Sequence, residues 1–405
     1  MLTQFTVKNF KSIRDEATLD MQAVGISEHT DRIIMVDEDE SYLPVSVIYG
    51  PNGGGKSNVL EAMNTLKSRV ISPIVAAGSS DEDISRLPVV PFSFEESYSS
   101  QPTEFEIFFR TDTAEYRYIL SILNDIVISE SLDRVKFETG RRSSLFSRDK
   151  QEIQMTGDFG KLNVPDDLSA TLPLLSYLGI SYRSNAIVNE VISWFETRIL
   201  FLNYGNPLSE LRLAVSADAQ VRSLMLQMIK EMDLDIEDYR VEKIPGQKMK
   251  IYTKHTVDGV STELSLEDES SGTLKLFGIL PYVASALLHG RTLVIDELDA
   301  KIHPLLLRYL INVFSDMSMN KKGAQLIFTS HDLTTMNSET FRRDEIWFVA
   351  KGSHQNSKLY SLVEFRNSDG TSVRKDARFD KQYLEGRYGA DPYLKRIINW
   401  EEVNG

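Results

Sequence analysis

Eight residues, Gly50-Pro51-Asn52-Gly53-Gly54-Gly55-Lys56-Ser57, have the types and spacing G-x-x-x-x-G-K-[ST] of a phosphate-binding loop. Glycines let successive backbone N–H groups converge on phosphate oxygens, and a following helix adds the partial positive charge of its N-terminus. Lys56 can reach the outer phosphates of a nucleotide such as ATP, and the Ser57 hydroxyl can take a Mg²⁺ position. Asn52, Gly53 and Gly55 complete the candidate contacts. The alternative is a glycine-rich turn with a chance lysine. The flanks speak against it: 45–49 reads as a buried strand, and 57–70 places Val59, Leu60, Met63, Leu66 and Val70 on one helical face.

A second set lies far downstream. Arg291-Thr292-Leu293-Val294-Ile295-Asp296-Glu297 is an apolar run ending in two acids. On a buried parallel strand these carboxylates stand at the C-terminal end, where open α/β sheets bind ligands. Asp296 can hold Mg²⁺ through water, and Glu297 can orient and deprotonate an attacking water. Taken alone, a strand followed by a charged helix cap looks the same. Leu326-Ile327-Phe328-Thr329-Ser330-His331 is another apolar run, ending in a histidine. One helix, from Pro304 to about Met317, fits between Glu297 and His331, so the chain can return to the same sheet edge and place His331 near the outer phosphate. Glu269-Ser270-Ser271-Gly272-Thr273 opens an apolar helix over 274–288. Small hydroxyl and glycine residues there make an anion site, and an ordinary helix cap explains the serines equally well.

The elements that must position these groups follow from patterning. Segment 2–13 reads as an edge strand and turn carrying Phe5, Val7 and Phe10. Segments 89–94, 104–110, 115–123 and 126–129 read as an antiparallel meander. Residues 166–230 look mainly helical, with strands expected at 239–244 and 249–257. After these come helix, strand, helix and strand up to Val349. No fixed-period repeat and no sustained heptad pattern occurs.

A chain of 405 residues with net charge −14 and no cysteine bounds the rest. Disulfides and thiolate metal sites are excluded, and a cytoplasmic location is the simple expectation. The acidic balance disfavours indiscriminate adhesion to nucleic acid while leaving room for a local basic groove. The acidic clusters at 37–40, 81–83 and 231–238 read as solvated faces, with docking of a basic partner as the alternative. No membrane span and no signal peptide is expected.

The order of these motifs resembles the ATP-binding cassette class of ATPases, and within it the SMC/RecF/OLD-type group. Phe5-Thr6-Val7-Lys8-Asn9-Phe10-Lys11-Ser12 is similar to the opening strand of that group, and Gly50 to Ser57 to its Walker A motif. Glu269 to Thr273 resembles a divergent signature motif, with Ser270 and Gly272 at the phosphate-contacting places and Ser271 where a second glycine is usual. Asp296 and Glu297 match Walker B and the catalytic glutamate, Leu298-Asp299-Ala300 the D-loop, and His331 the switch histidine. No Q-loop glutamine is assigned; Gln101 qualifies by position only. Arg343-Asp344-Glu345-Ile346-Trp347-Phe348 and Tyr383-Leu384-Glu385-Gly386-Arg387-Tyr388-Gly389-Ala390 resemble the AbiL/RloA-like ATPases of phage-defence operons.

The resemblance implies an α/β, ABC-type P-loop head: a mixed central sheet flanked by helices, an antiparallel meander and a compact helical insertion. It divides the chain into an N-terminal lobe (1–160), an insertion (161–235) and a C-terminal lobe (236–405). ATP and Mg²⁺ are the implied cofactors. The implied partners are a second copy, or more, joined through composite ATP sites, and a separate effector, nuclease or toxin. Only 74 residues follow His331, too few for a Toprim nuclease lobe in addition to the last strands. A RecF-like ATPase on duplex DNA and a non-hydrolysing ATP-dependent scaffold are the alternatives.

Overall fold

The computed structural model describes residues 1–37, 40–79, 86–202, 218–232, 234–242, 250–367 and 370–390. The 81–83 acidic cluster, Glu38, Asp39, Leu211, Ile244, Met249 and Asp391 lie outside these residues.

A six-stranded sheet forms the centre, in the order Ile199–Leu202, Thr292–Ile295, Gln325–Thr329, Val45–Tyr49, Ile346–Lys351, Ser357–Ser361. The first five strands run parallel and the last is antiparallel to its neighbour. Val45–Tyr49 is buried at every position, as a parallel strand covered on both faces must be. Side-chain alternation divides its residues between two cores. Val45, Val47 and Tyr49 join one core with Leu293, Ile295 and Phe328; Ile48 joins the other with Val294, Ile327 and Val349.

The first core is closed by the helices Ala219–Glu231, Ser271–His289 and Pro304–Ser315. The second lies between the central sheet and a seven-stranded antiparallel sheet, with Lys56–Gly78, Leu174–Ser181 and Ala186–Ser193 packed into it. In that second sheet Leu2–Lys8 pairs with both Ala17–Asp20 and Thr103–Arg110, so the opening strand is interior to the sheet rather than at its edge. The helix Ser271–His289 has the length and hydropathy of a membrane span, and 72% of its apolar window is buried in the first core.

Several expectations are corrected. Segment 89–94 is not a strand; Phe92 is fully buried and donates its N–H to the Asn9 side chain. The meander starts at Thr103, its third strand runs on to Lys136, and Arg142–Asp149 and Glu152–Met155 extend it. Segment 161–235 is not purely helical. It contains Ile199–Leu202, whose parallel pairing with Thr292–Ile295 makes it part of the central sheet. Four residues are too few for apolar alternation to reveal a strand beside helices.

The Arg343-Asp344-Glu345 motif has a structural role beside Arg342. Arg342, 1% exposed, grips Asp344 through Nε–Oδ1 at 2.9 Å and Nη2–Oδ2 at 2.7 Å. It also donates to the Val24 and Glu28 carbonyls, tying the 24–28 segment to the start of Ile346–Lys351.

Candidate nucleotide site

The phosphate loop leaves the C-terminal end of Val45–Tyr49 and runs into Lys56–Gly78. Close approach fixes two of its glycines. A Cβ at Gly50 would stand 2.5 Å from the Val349 carbonyl oxygen of the neighbouring strand. Gly55, at φ 104°, caps the helix where a Cβ would collide with the hydroxyls of Ser12 and Ser357. These hydroxyls brace the loop from behind. Ser357 donates to the Gly54 carbonyl at 2.6 Å, which leaves Ser12 to donate to Ser357 at 2.6 Å, while the Asn58 amide donates to Ser12 at 2.6 Å.

Lys56 is curled onto its own loop. Its Nζ donates to the carbonyls of Gly50 at 2.9 Å and Pro51 at 3.2 Å, and the residue is 6% exposed. Burial lowers its pKa below the usual lysine value, and the charges of Asp296, Glu297 and Asp299 work in the opposite direction. The sequence-distant acids therefore face the phosphate-loop lysine.

Topology explains why. The strand Gln325–Thr329 lies between Val45–Tyr49 and Thr292–Ile295, all three parallel. Neighbouring strands are about 4.8 Å apart, so the strand ends at Tyr49 and Ile295 lie on the order of 10 Å apart across Thr329. Thr329 donates its hydroxyl proton to Asp296 Oδ1 at 2.6 Å and accepts the Glu297 N–H at 2.7 Å. Glu297 itself has φ 49°, a left-handed conformation that costs a non-glycine residue roughly 1–2 kcal/mol. That turn directs the chain back across the sheet edge, where Asp299 Oδ2 accepts the His331 N–H at 3.0 Å. Asp299 Oδ1 is buried with no hydrogen-bond partner. His331 is exposed as a residue; partial desolvation and the charge of Lys56 lower its pKa below 6.5.

Ser270 caps the helix Ser271–His289, its Oγ accepting the Thr273 N–H at 3.1 Å. Gly272 lies against the turn after Glu297, since a Cβ there would stand 3.0 Å from the Lys301 carbonyl. Glu269 is held by Thr253 at 2.6 Å and His255 at 2.8 Å. Gln101 donates to the Ser97 carbonyl within its own turn.

A cavity of about 740 Å³ opens beside the loop, lined by Tyr49 to Asn52, Ser330, His331 and the 351–355 turn, with Tyr383, Leu384, Gly389 and Ala390 as its far wall. Neither Ser270 nor Gly272 lines it. The wall is stapled in place: Tyr383 donates to the Ala390 carbonyl at 2.9 Å, Tyr388 donates to Gln382 at 2.7 Å and its ring stacks on Phe348. Gly386 and Gly389 take φ 75° and 68° in the turn between them.

The donor set suits Mg²⁺ held jointly with nucleotide phosphates. Ser57 is exposed at the helix start, and Asp296 is oriented through one oxygen by Thr329. Among the described residues no group of three or more His, Asp or Glu side chains gathers as an all-protein cage, in keeping with a cation that keeps waters and phosphate ligands.

Sequence reading missed Thr329, Ser12, Asn58, Ser357 and Lys275. Lys275 alone left a visible trace, as the only charge in the apolar run 274–288. Its Nζ donates to the Glu297 carbonyl at 2.6 Å, and burial pushes its pKa down to about 8 against the pull of Asp299 and Glu297.

Comparison with protein families matches residues 45–337 to "AAA domain, putative AbiEii toxin, Type IV TA system". The chain belongs to this family. It is thereby a P-loop ATPase domain with a toxin–antitoxin association at family level. No curated protein matches the chain. Similar solved structures include an SMC head domain from Thermotoga maritima, 16% identical over 89% of this chain and 98% of that one, at a TM-score of 0.39. Another is an SmcHead bound to the C-winged helix domain of ScpA, 13% identical over 89% and 97%, at a TM-score of 0.45.

Proposed function

We propose that this chain hydrolyses ATP as an ABC-type ATPase and acts as the sensor or scaffold of a bacterial anti-phage system, controlling a separate effector. The observation that carries the catalytic part is that Asp296, Glu297 and His331 follow the ends of two adjacent parallel strands and the loop leading to Lys56 follows the end of a third beside them. The family's toxin–antitoxin association, with the likeness of the 343–348 and 383–390 segments to AbiL/RloA-like ATPases, supports the defence part.

In this reading Lys56 leaves the Gly50 and Pro51 carbonyls for the outer phosphates, while loop N–H groups, with Asn52, Gly53 and Gly55, cradle the chain of phosphates. Ser57 and Asp296 would hold Mg²⁺, which would supply positive charge against the charge developing on the phosphates. Glu297 orients a water and takes its proton. His331, neutral at neutral pH, would contact the outer phosphate, and Asp299 fixes the backbone beneath it. Ser270, exposed at the helix tip, and Gly272 complete the site of a second copy, head to tail.

The test is phosphate release with Mg-ATP by purified protein, with calorimetric affinity alongside. Lys56→Ala is expected to abolish both. Wild-type affinity in that variant sinks the assignment. Co-expression with the product of a neighbouring gene, read as ATP-dependent co-elution and a change in that protein's toxicity, tests the effector role.

A further inference from the structure

The helix Ser271–His289 buries Lys275 to 3% exposure among Leu276, Phe277 and Ile279. A leucine or methionine would fill that volume without the desolvation of an ammonium. What the lysine adds is a bond. Its Nζ meets the Glu297 carbonyl at 2.6 Å, the same oxygen that accepts the Ala300 N–H at 3.2 Å. Glu297 and Lys301 both have positive φ, 49° and 63°, and they bracket the turn that follows the acidic strand. The helix touches that turn at both ends: Lys275 at Glu297, and Gly272 against the Lys301 carbonyl. Ser270, at the tip of the same helix, faces outward beside Gly272.

We propose that Lys275 is a positioning residue that holds Glu297 in its left-handed turn and so couples the helix carrying Ser270 and Gly272 to the hydrolytic glutamate of the same chain. This rests on the ATPase reading above. Docking of Ser270 and Gly272 on the nucleotide of a second copy then acts on Glu297 through one rigid helix turn, and the two sites of a dimer fire together. A backbone carbonyl is the right target for this purpose. It fixes the direction in which the residue leaves the strand while the carboxylate stays free for water.

The experiment compares wild type, Lys275→Met, Lys275→Arg and Glu297→Gln by Mg-ATP calorimetry, melting temperature and steady-state phosphate release. Lys275→Met is expected to bind Mg-ATP within about twofold of wild type, to lose turnover by about 10²-fold through misplacement of the glutamate, and to show a Hill coefficient reduced to one. Lys275→Arg keeps a donor and is expected to recover most of the turnover and the cooperativity. Turnover of Lys275→Met within about twofold of wild type overturns the proposal. So does a folded Lys275→Arg that is as slow as Lys275→Met. If Lys275→Met does not fold, Lys275→Arg is compared with Lys275→Gln, whose side chain is too short to reach; equal rates overturn it. A wild type without turnover, or one unchanged by Glu297→Gln, brings down the ATPase reading itself and this proposal with it.

Discussion

Ser12 and Ser357 stand 345 positions apart in the chain and 2.6 Å apart at their hydroxyl oxygens. Between them they support the Gly54 carbonyl and occupy the space a Cβ at Gly55 would need. The phosphate loop is thus shaped by two residues distant in the chain, neither of which belongs to the glycine motif.

Ser357→Ala removes the donor to Gly54 and leaves that carbonyl without it. The expected loss is about 1 kcal/mol of nucleotide binding, or about a fivefold rise in Kd for Mg-ATP, with little change in melting temperature. Calorimetric titration checks this. An unchanged Kd would show that the loop keeps its shape without the brace.

Glu297→Gln keeps side-chain volume and the Thr329 and Lys275 bonds, which engage only its backbone. ATP binding should persist while turnover falls about 10²–10⁴-fold, the usual cost of a lost general base. ATP-bound dimers or larger assemblies should then accumulate in size-exclusion chromatography. Normal turnover in this variant removes Glu297 from the role.

Ser270→Arg and Lys56→Ala damage different halves of a composite site. Each alone should be inactive, and mixtures should regain phosphate release because every heterodimer contains one intact site. Activity that stays absent at all mixing ratios, with both proteins folded and associated, points to a site completed within one chain.

Glu345 gives a pH dependence of stability. Burial pushes its carboxyl from the usual 4.5 up to about 8, opposed by the Arg342 N–H that it accepts. The folded chain therefore holds a proton there that the unfolded chain has released between those two values. Its contribution is full below pH 4.5 and lost as pH rises past 8, with a slope of at most about 1.4 kcal/mol per pH unit. Glu345→Gln mimics the protonated form, and its melting temperature should fall less than that of wild type from pH 6 to 8.5. Parallel curves would show that Glu345 is ionised in the folded protein throughout.

The glycine loop, the acidic strand end and the histidine strand end were legible in the sequence because each is a short apolar run closed by a chemically distinct residue. Their assembly on three adjacent strands follows from parallel topology, which those same runs imply. The bracing side chains were not legible. Ser12, Thr329 and Ser357 are small hydroxyl residues whose roles depend on which strand ends become neighbours, and no local pattern marks that. Ile199–Leu202 was hidden among helices because a four-residue strand shows too little alternation. Segment 89–94 misled in the other direction: Phe92 is its one fully buried residue, and its backbone bonds run to Asn9 and Lys11 in the turn after the first strand rather than into a ladder.

The central position of Val45–Tyr49 has a consequence in time. Both its neighbours, Gln325–Thr329 and Ile346–Lys351, leave the ribosome long after it does. At about 5–20 residues per second, the phosphate loop waits on the order of 15–60 s for the strands that flank it. During that interval an apolar strand is uncovered and a nascent chain has the glycine motif but no site, so a translation product interrupted before Ile346 cannot act as a partial enzyme.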